Sequence, residues 1–403
     1  MPKGQVRGCL VRGYNYNMKG NFPIERFGNI ETPFYYYDAE VLQQSLDAIC
    51  GEMAKHKNYH LHYAIKANAN PKVLKKIQAA GLGVDCVSGG EIQAALDAGF
   101  APEKIVYAGV GKADWEINLG LEAGIFSFNV ESEPELQIIN ELAGKKGKVA
   151  RVCFRINPNV GAHTHANITT GLAENKFGIA MEDMELAIRE AQELPNIEFI
   201  GLHFHIGSQI LEMGDFEALC GRVNELLERL AKQGINVENI NVGGGLGIDY
   251  DNPDGAPVPN FKAYFETYAN CIKLADNQHL HFELGRAVVG QMGSLITRVL
   301  YVKKCHIKQF AIVDGGMSDL IRPALYDAHH KIINLNSNEP EEKYDVVGPI
   351  CESSDTFDKG IMLSKTHRGD LLALLSAGAY GEIMASGYNC RRLPDGYTSE
   401  ELN

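Results

Sequence analysis

One pattern repeats eight times between residues 59 and 285: a short run of β-branched or aromatic residues, a turn, and a stretch with helical spacing. The eight runs cover residues 59–65, 83–87, 104–109, 125–130, 149–156, 199–206, 239–243 and 280–284. Strands that alternate with helices pair in parallel through right-handed crossovers. Eight such units predict an α/β fold with a closed (β/α)8 barrel, and an open doubly wound sheet is the alternative.

The alternation stops after residue 285. Residues 291–303, 306–314, 343–350 and 369–376 look like strands without helices between them, which is typical of an antiparallel β domain. We therefore predict a barrel over residues 33–285 and a C-terminal β domain over residues 286–403. Residues 1–32 have no place in the barrel count, and we expect this N-terminal segment to join the β domain.

The composition excludes several classes of protein. The 403 residues are 45% hydrophobic and 22% charged, as in ordinary globular proteins. A net charge of −13 argues against a broad surface for nucleic acid or anionic lipid, and no apolar run approaches the roughly 18–20 residues of a membrane span. The nine cysteines are scattered without a C-x-x-C pair, which favours a reducing cytoplasm. We expect no secretory signal, and Met18 is an alternative start to Met1.

Polar residues and glycines collect where the predicted barrel strands end. In this fold the carboxyl ends of the strands form the rim that carries the active site. The residues that the pattern brings to this rim are Lys66, Asp85, Ser88, Arg155, His203, His205, Ser208, Gly243, Gly244, Gly245, Glu283, Gly285 and Arg286. A barrel without an active site would have little reason to place them together.

Two features of this rim suggest a phosphorylated aldehyde. The glycines 243–245 expose backbone N–H groups beside Arg286, in the loops where barrels usually bind phosphate, although a tight turn is the alternative. Lys66 is flanked by apolar residues, and we expect desolvation to lower its pKa and free its amine as a nucleophile; a solvated loop lysine is the alternative. Together with the Glu283 carboxylate, these features suggest pyridoxal phosphate.

The histidines allow more than one interpretation. His203 and His205 share a face of one strand, but a metal site would need a third ligand that the spacing does not provide. An imidazole that stacks on a flat cofactor ring fits at least as well. His163 and His165 lie in a long polar loop over residues 158–178, which is either a lid or a solvated loop.

Five motifs carry a family resemblance: YAIKAN around Lys66, HFHIGSQ around His205, GGGLG, ELGR and GPICESSD. In this order they resemble the pyridoxal-phosphate decarboxylases that combine an alanine-racemase-like barrel with a β domain, and within them the group that acts on diaminopimelate. The resemblance covers residues 22–396. Two positions depart from the family pattern: Leu284 replaces a proline, and Gly387 replaces an asparagine.

The resemblance implies a role for each matching residue. Lys66 matches the Schiff-base lysine, His205 the ring-stacking imidazole, and Glu283 the partner of the pyridine nitrogen. The phosphate contacts are matched by Ser208, Gly245, Arg286 and Tyr380. The same cofactor pocket is expected to include Asp85, Arg155, Gly244 and Gly285. Cys351 matches the thiol that delivers a proton to the product. The positions that hold the substrate are Arg286, Arg322, Tyr326, Glu352 and Tyr380.

The expected activity is decarboxylation of meso-2,6-diaminopimelate to L-lysine and carbon dioxide, the last step of lysine biosynthesis, in a cytoplasmic homodimer with shared active sites. A carboxylate at position 283 keeps the pyridine nitrogen protonated, whereas racemases of this fold place an arginine there, so Glu283 favours a decarboxylase. One alternative is a decarboxylase of ornithine, arginine or a carboxylated polyamine. Another is a non-catalytic relative, against which the presence of Lys66 and Cys351 argues.

Overall fold

The structure of the protein, a computed structural model, describes residues 22–159 and 176–402. The two candidate starts, Met1 and Met18, lie outside these residues. So do His163, His165 and most of the long loop around them, together with residues 1–21 of the predicted N-terminal segment.

After strand β1 (Phe34–Tyr37), eight parallel strands form the predicted closed barrel. They are β2 (Tyr59–Ala64), β3 (Gly83–Cys86), β4 (Ile105–Tyr107), β5 (Ser127–Val130), β6 (Ala150–Arg155), β7 (Ile197–His203), β8 (Asn239–Asn241) and β9 (His279–Leu284). Strand β9 pairs with β2, with Glu283 opposite His62, which closes the barrel. Most strands end a residue or more before the predicted position, because the chain already turns into the loops of the rim there.

One long helix precedes the barrel strands and others connect them. The longer ones are Ala39–Met53, Pro71–Ala79, Gly89–Asp97, Asp114–Ala123, Glu133–Lys145, Met184–Glu193, Met213–Lys232 and Phe261–Cys271. Several begin at side chains that accept from the first free backbone N–H groups: Asp38, Ser88 and Ser132 cap three of them. Short helices cover Ile24–Phe27, Arg286–Val289, Arg322–Tyr326 and Ser399–Leu402. Within residues 22–159 and 176–402, no helix is both long and apolar enough to span a bilayer.

The β domain is a second, eight-stranded sheet. Its further strands are β10 (Gly293–Lys304), β11 (Gln309–Val313), β12 (Ile332–Asn334), β13 (Glu341–Val347), β14 (Thr356–Ser364), β15 (Leu371–Leu374) and β16 (Asp395–Thr398). The order is β12-β15-β10-β11-β13-β14, with β1 paired to β10 and β16. The pairs are antiparallel as predicted, except that β11 with β13 and β1 with β16 are parallel.

Strand β1 follows residue 33, where the barrel is predicted to begin, and pairs with the sheet of the β domain. Phe34 pairs with Ile296 and Tyr37 with Gly293, so residues 34–37 belong to the sheet of the β domain. Alternate residues of β1 face two cores: Tyr35 and Tyr37 join the barrel core, while Phe34 and Tyr36 join a smaller cluster. Strand β1 therefore lies between the two parts of the molecule. Its partners are far along the chain, which a local pattern does not reveal.

Candidate active site

A cleft lies between the carboxyl ends of the barrel strands and the β domain. Its inner part is a cavity of about 410 Å³, lined by the predicted residues Lys66, Asp85, Arg155, His205, Ser208, Gly245, Glu283, Gly285, Arg286 and Tyr380. An adjoining cavity of about 510 Å³ shares Lys66, His205 and Arg286 with the first and adds Arg322 and Tyr326. Residues predicted from eight separate segments of the sequence are thus brought to one cleft.

Three of the residues that the resemblance assigns to the site do not line the cleft. Gly244 lies behind His205, and its backbone N–H donates to His205 Nδ1 at 3.3 Å. Cys351 and Glu352 are exposed on the β domain, where Glu352 accepts a hydrogen bond from the Tyr388 hydroxyl. The chain by itself therefore does not bring these two residues to the cavity.

Lys66 occupies a short turn, Ile65–Ala67, directly after β2. Its side chain reaches into the cavity, and the turn is held by Tyr380, whose N–H donates to Ala67 O at 2.8 Å. Burial alone lowers the pKa of the Lys66 amine, as predicted. The nearby Tyr380, Asp85 and Glu283 side chains outweigh burial, however, and the pKa lies above its ordinary value. The prediction of a lowered pKa is wrong, because the side chains that raise it come from other segments of the chain.

Glu283 is held by three side-chain hydrogen bonds. Its Oε2 accepts from His203 Nε2 at 3.0 Å, and its Oε1 accepts from Asn241 Nδ2 at 2.7 Å and Asn129 Nδ2 at 3.3 Å. Burial raises the pKa of Glu283, but the His203 imidazole opposes this effect, and the net result is a pKa of about 2. Glu283 is therefore a carboxylate in a fixed orientation at neutral pH.

Asp85 differs from Glu283 in its hydrogen bonds and in the direction of its pKa. It is 3% exposed, and its Oδ1 has no hydrogen-bond partner within the described chain. Burial, and then the negative charge of Glu283, raise the pKa of Asp85 well above its ordinary range. Two carboxyl groups on one cavity wall are thus held in different states, one ionised and one inclined to keep its proton.

His205 presents a neutral imidazole. Burial, and then the positive charges of Lys66 and Arg155, lower its pKa well below the ordinary value. Since Nδ1 accepts from the Gly244 N–H, the ring proton is placed on Nε2. A neutral ring on the cavity wall can stack on a flat apolar group without an added charge.

The glycine loop after β8 brings backbone close to the cavity. A Cβ atom on Gly244 would lie 1.7 Å from Glu283 O, and one on Gly245 would lie 2.7 Å from Gly207 O. Gly245 also has a φ of +111°, which side chains other than glycine rarely adopt. Only glycine fits both positions, so the loop packs directly against the backbone of β9 and of the segment after β7, with Gly245 at the cavity wall.

Two buried arginines face the cleft without an acidic partner among the described residues. Arg286 donates to Ser208 Oγ at 3.1 Å and to the Tyr250 hydroxyl at 2.6 Å, and its buried Nε has no partner there. Arg322 donates to the same hydroxyl at 2.9 Å and to His330 Nε2 at 3.0 Å. Arg155 differs, since it pairs with Glu131 at 3.1 Å and lies over Phe177. The cleft therefore has two positive groups free to bind anions.

Sequence reasoning missed five polar residues that hold the site: Asn129, Asn241, Glu131, Tyr250 and His330. The sequence contained a clue to the two asparagines, because asparagine is uncommon within buried strands. The clue to Tyr250 was weaker, and consisted only of its position shortly after the glycine loop. The role of His330 depends on packing between the two parts of the molecule and has no local signal.

Comparisons with known proteins agree with this geometry. Residues 43–290 match the family described as pyridoxal-dependent decarboxylase, pyridoxal binding domain. A diaminopimelate decarboxylase of Bacteroides thetaiotaomicron is 69% identical over 385 residues, which are 96% of this chain and 100% of that protein. One of Aquifex aeolicus is 41% identical over 364 residues, 89% of this chain and 84% of that protein. The crystal structure of diaminopimelate decarboxylase from Helicobacter pylori complexed with L-lysine matches with a TM-score of 0.88 and 39% identity, over 94% of each chain.

Proposed function

Since the chain belongs to the pyridoxal-dependent decarboxylases, and within them to the diaminopimelate decarboxylases, we propose that it converts meso-2,6-diaminopimelate to L-lysine and carbon dioxide. The observation that carries this proposal is the pair of buried arginines, Arg286 and Arg322, that face one cleft without acidic partners in the described chain. One suits the phosphate of a cofactor, and the other suits a carboxylate at the far end of a substrate.

The residues of the inner cavity fit pyridoxal phosphate. The glycine loop and the unpartnered Nε of Arg286 provide donors for a phosphate, together with Ser208, Gly245 and Tyr380. Glu283 is ionised and fixed, as a partner for a protonated ring nitrogen must be, and His205 offers a neutral face. When bound, the cofactor supplies an aldehyde that reacts with amines and a ring that withdraws electrons from the carbon that loses carbon dioxide.

We assign roles to the chain's own groups on this basis. Lys66 Nζ is the amine that holds the cofactor, and Glu283 Oε1 and Oε2 accept hydrogen bonds that keep the acid ionised next to the ring. His203, Asn129 and Asn241 orient that carboxylate. Asp85, Arg155, Gly244 and Gly285 complete the walls of the pocket. The apolar neighbours of Lys66, Ala64 and Ile65, are buried, whereas the Lys66 side chain is exposed to the cleft.

The adjoining cavity, which contains Arg322 and Tyr326, suits a substrate with charges at both ends. Arg322 would bind the far carboxylate, and Arg286, Tyr326 and Tyr380 lie beside it in the same cavity. A substrate such as ornithine has only an ammonium at its far end and would leave Arg322 without a partner. Because an unpaired buried charge costs several kcal/mol, discrimination against ornithine should be strong.

We further propose that the site is shared between two copies of the chain in a homodimer. The loop that carries Cys351 and Glu352 is firmly built, since Asp355 accepts from the N–H groups of Ile350 and Met317, both at 2.6 Å. Nevertheless both residues are exposed and lie outside the cavity of their own chain. In a second copy, Cys351 would donate a proton to the product and Glu352 would bind the far ammonium.

Mixing two inactive variants tests the shared site. Lys66→Ala and Cys351→Ala damage different parts of the site, so hybrid dimers should contain one intact site and regain activity. Subunit exchange is verified by mass spectrometry of the mixture. If exchange is complete and no activity returns, both residues act within one chain and the shared site is wrong.

Release of carbon dioxide from a panel of amino acids tests the reaction itself. The purified protein with pyridoxal phosphate should act on meso-2,6-diaminopimelate far better than on ornithine, arginine, lysine or a carboxylated polyamine. Comparable turnover of ornithine would favour that alternative instead. No turnover and no absorbance band from bound cofactor would favour a non-catalytic relative. We place the protein in the cytoplasm, which is supported by the eight free cysteines of the described chain.

A further inference from the structure

Tyr250 lies between the two arginines of the cleft. It follows β8 and the glycine loop, and its hydroxyl oxygen accepts from Arg286 Nη1 at 2.6 Å and from Arg322 Nη1 at 2.9 Å. The centres of the two guanidinium groups lie 5.9 Å and 5.0 Å from the centre of its ring. One neutral side chain thus contacts both cations with its oxygen and with its ring.

Within the described residues, the Tyr250 hydroxyl accepts hydrogen bonds but donates none. A phenol oxygen accepts two hydrogen bonds and donates one. Both acceptor positions are used by the arginines, and no described residue accepts the Tyr250 hydrogen. The hydroxyl is therefore left with a donor beside two positive groups, which is the arrangement that favours an anion.

Arg322 is fixed from its other side as well. The same Nη1 that donates to Tyr250 also donates to His330 Nε2 at 3.0 Å, while His330 Nδ1 donates to Leu375 O at 2.9 Å. Both hydrogens of Nη1 are thus used, so Nη2 and Nε form the edge of Arg322 that remains for a ligand. The position of that edge depends on the Tyr250 hydroxyl and on His330.

We propose that Tyr250 is a positioning and specificity-determining residue, whose hydroxyl links the phosphate arginine Arg286 to the carboxylate arginine Arg322 and orients Arg322 toward the far carboxylate of the substrate. This inference rests on the proposed function and deepens it. Loss of the hydroxyl leaves two buried cations near each other with no shared acceptor. Recognition of the carboxylate then weakens, while the amine chemistry at Lys66 is not touched directly.

Two ligands that differ by one carboxylate measure this recognition. L-lysine and 1,5-diaminopentane share both amines, but only L-lysine carries a carboxylate for Arg322. Their dissociation constants are measured from changes in the absorbance of the bound cofactor. In Tyr250→Phe, which keeps the ring, the preference for L-lysine should fall roughly tenfold, the expected effect of a hydrogen bond to a charged group. The affinity for 1,5-diaminopentane should stay within about twofold.

The same variant gives two further readouts. The KM for meso-2,6-diaminopimelate should rise roughly tenfold while kcat changes much less. The apo protein should bind pyridoxal phosphate several-fold more weakly, because Arg286 loses the same acceptor. Tyr301→Phe is the matched control, since it removes a hydroxyl from an exposed tyrosine of β10 and should change none of these values. Tyr250→Leu also removes the ring and should lower the preference at least as far.

The outcomes separate this inference from the proposed function. If Arg322→Ala abolishes the preference for L-lysine but Tyr250→Phe leaves it unchanged, the role of Tyr250 is wrong and the function stands. An equal loss of affinity for both ligands in Tyr250→Phe would mean a merely structural role and would also overturn the inference. If the unmodified protein does not decarboxylate meso-2,6-diaminopimelate, the proposed function itself fails.

Discussion

Both ends of the barrel contain buried polar residues, but the two ends differ in whether the buried polar atoms have hydrogen-bond partners. At the amino end, a cavity of about 370 Å³ is lined by His60, His62, His279 and His281. Both nitrogens of His62 have partners, Lys104 O at 3.2 Å and His281 Nδ1 at 3.0 Å, and His281 Nε2 lies 3.0 Å from Asn239 Oδ1. At the carboxyl end, Asp85 Oδ1, His203 Nδ1 and Arg286 Nε are buried without a partner in the described chain.

This difference distinguishes the amino end of the barrel, which stabilises the fold, from the carboxyl end, which is suited to bind a ligand. Buried polar atoms that bond each other stabilise the fold, whereas buried polar atoms without partners are expensive unless a ligand completes them. A count of histidines or a cavity volume would not distinguish the two ends. The pairing of individual atoms does, and it predicts that substitutions at the two ends should have different consequences.

The largest effect is expected for Lys66→Ala at the carboxyl end. Activity should fall by on the order of a thousandfold or more, since the amine that holds the cofactor is lost. The free energy of unfolding should hardly change, because the side chain extends into a cavity. Lys104→Ala at the amino end is the control and should keep full activity. Substantial turnover by Lys66→Ala, measured as carbon dioxide release, would contradict the assignment.

Arg322→Ala should have the next largest effect. Truncation of one partner of a buried charge pair costs about 2–5 kcal/mol, so kcat/KM for meso-2,6-diaminopimelate should fall roughly 30-fold or more. The dissociation constant of pyridoxal phosphate should change much less than kcat/KM does. A parallel loss of both quantities would show that Arg322 supports the cofactor pocket and does not select the substrate.

At the amino end, His62→Leu should affect stability alone. The change leaves His281 Nδ1 and Lys104 O without a partner, at a cost of about 1–3 kcal/mol in the free energy of unfolding. Urea denaturation measures this cost, and kcat/KM should match that of the unmodified protein under native conditions. A variant that keeps its stability but loses activity would mean that the amino end takes part in function.

A smaller effect concerns pH and His330, which borders the site. Burial, and then the charge of Arg322, lower the pKa of His330 to about 3, whereas an unfolded histidine titrates near 6.5. Between these values the unfolded state binds more protons, so stability is lost as the pH falls below about 6.5. Between pH 7 and pH 5.5, the free energy of unfolding of His330→Asn should therefore fall by about 1 kcal/mol less than that of the unmodified protein. Identical slopes in the two proteins would exclude this role of His330.

The sequence was informative where the physical cause is local. Alternation of strands and helices predicted the barrel, and strand ends predicted the rim that carries Lys66 and Glu283. The sequence did not reveal that β1 joins β10 or that Tyr250 bridges two arginines, because both depend on residues distant along the chain. The direction of the pKa of Lys66 was missed for the same reason, since the charges that raise it come from other segments.

Reduction of the holoprotein with borohydride tests most directly whether the unpaired polar groups at the carboxyl end form the ligand site. The reagent fixes pyridoxal phosphate to the lysine that holds it, and peptide mapping by mass spectrometry then identifies that lysine. We expect the label on the peptide that contains Lys66, and on no peptide from the amino end such as the one with Lys104. A label on another lysine, with Lys66 unmodified, would contradict this assignment of the site.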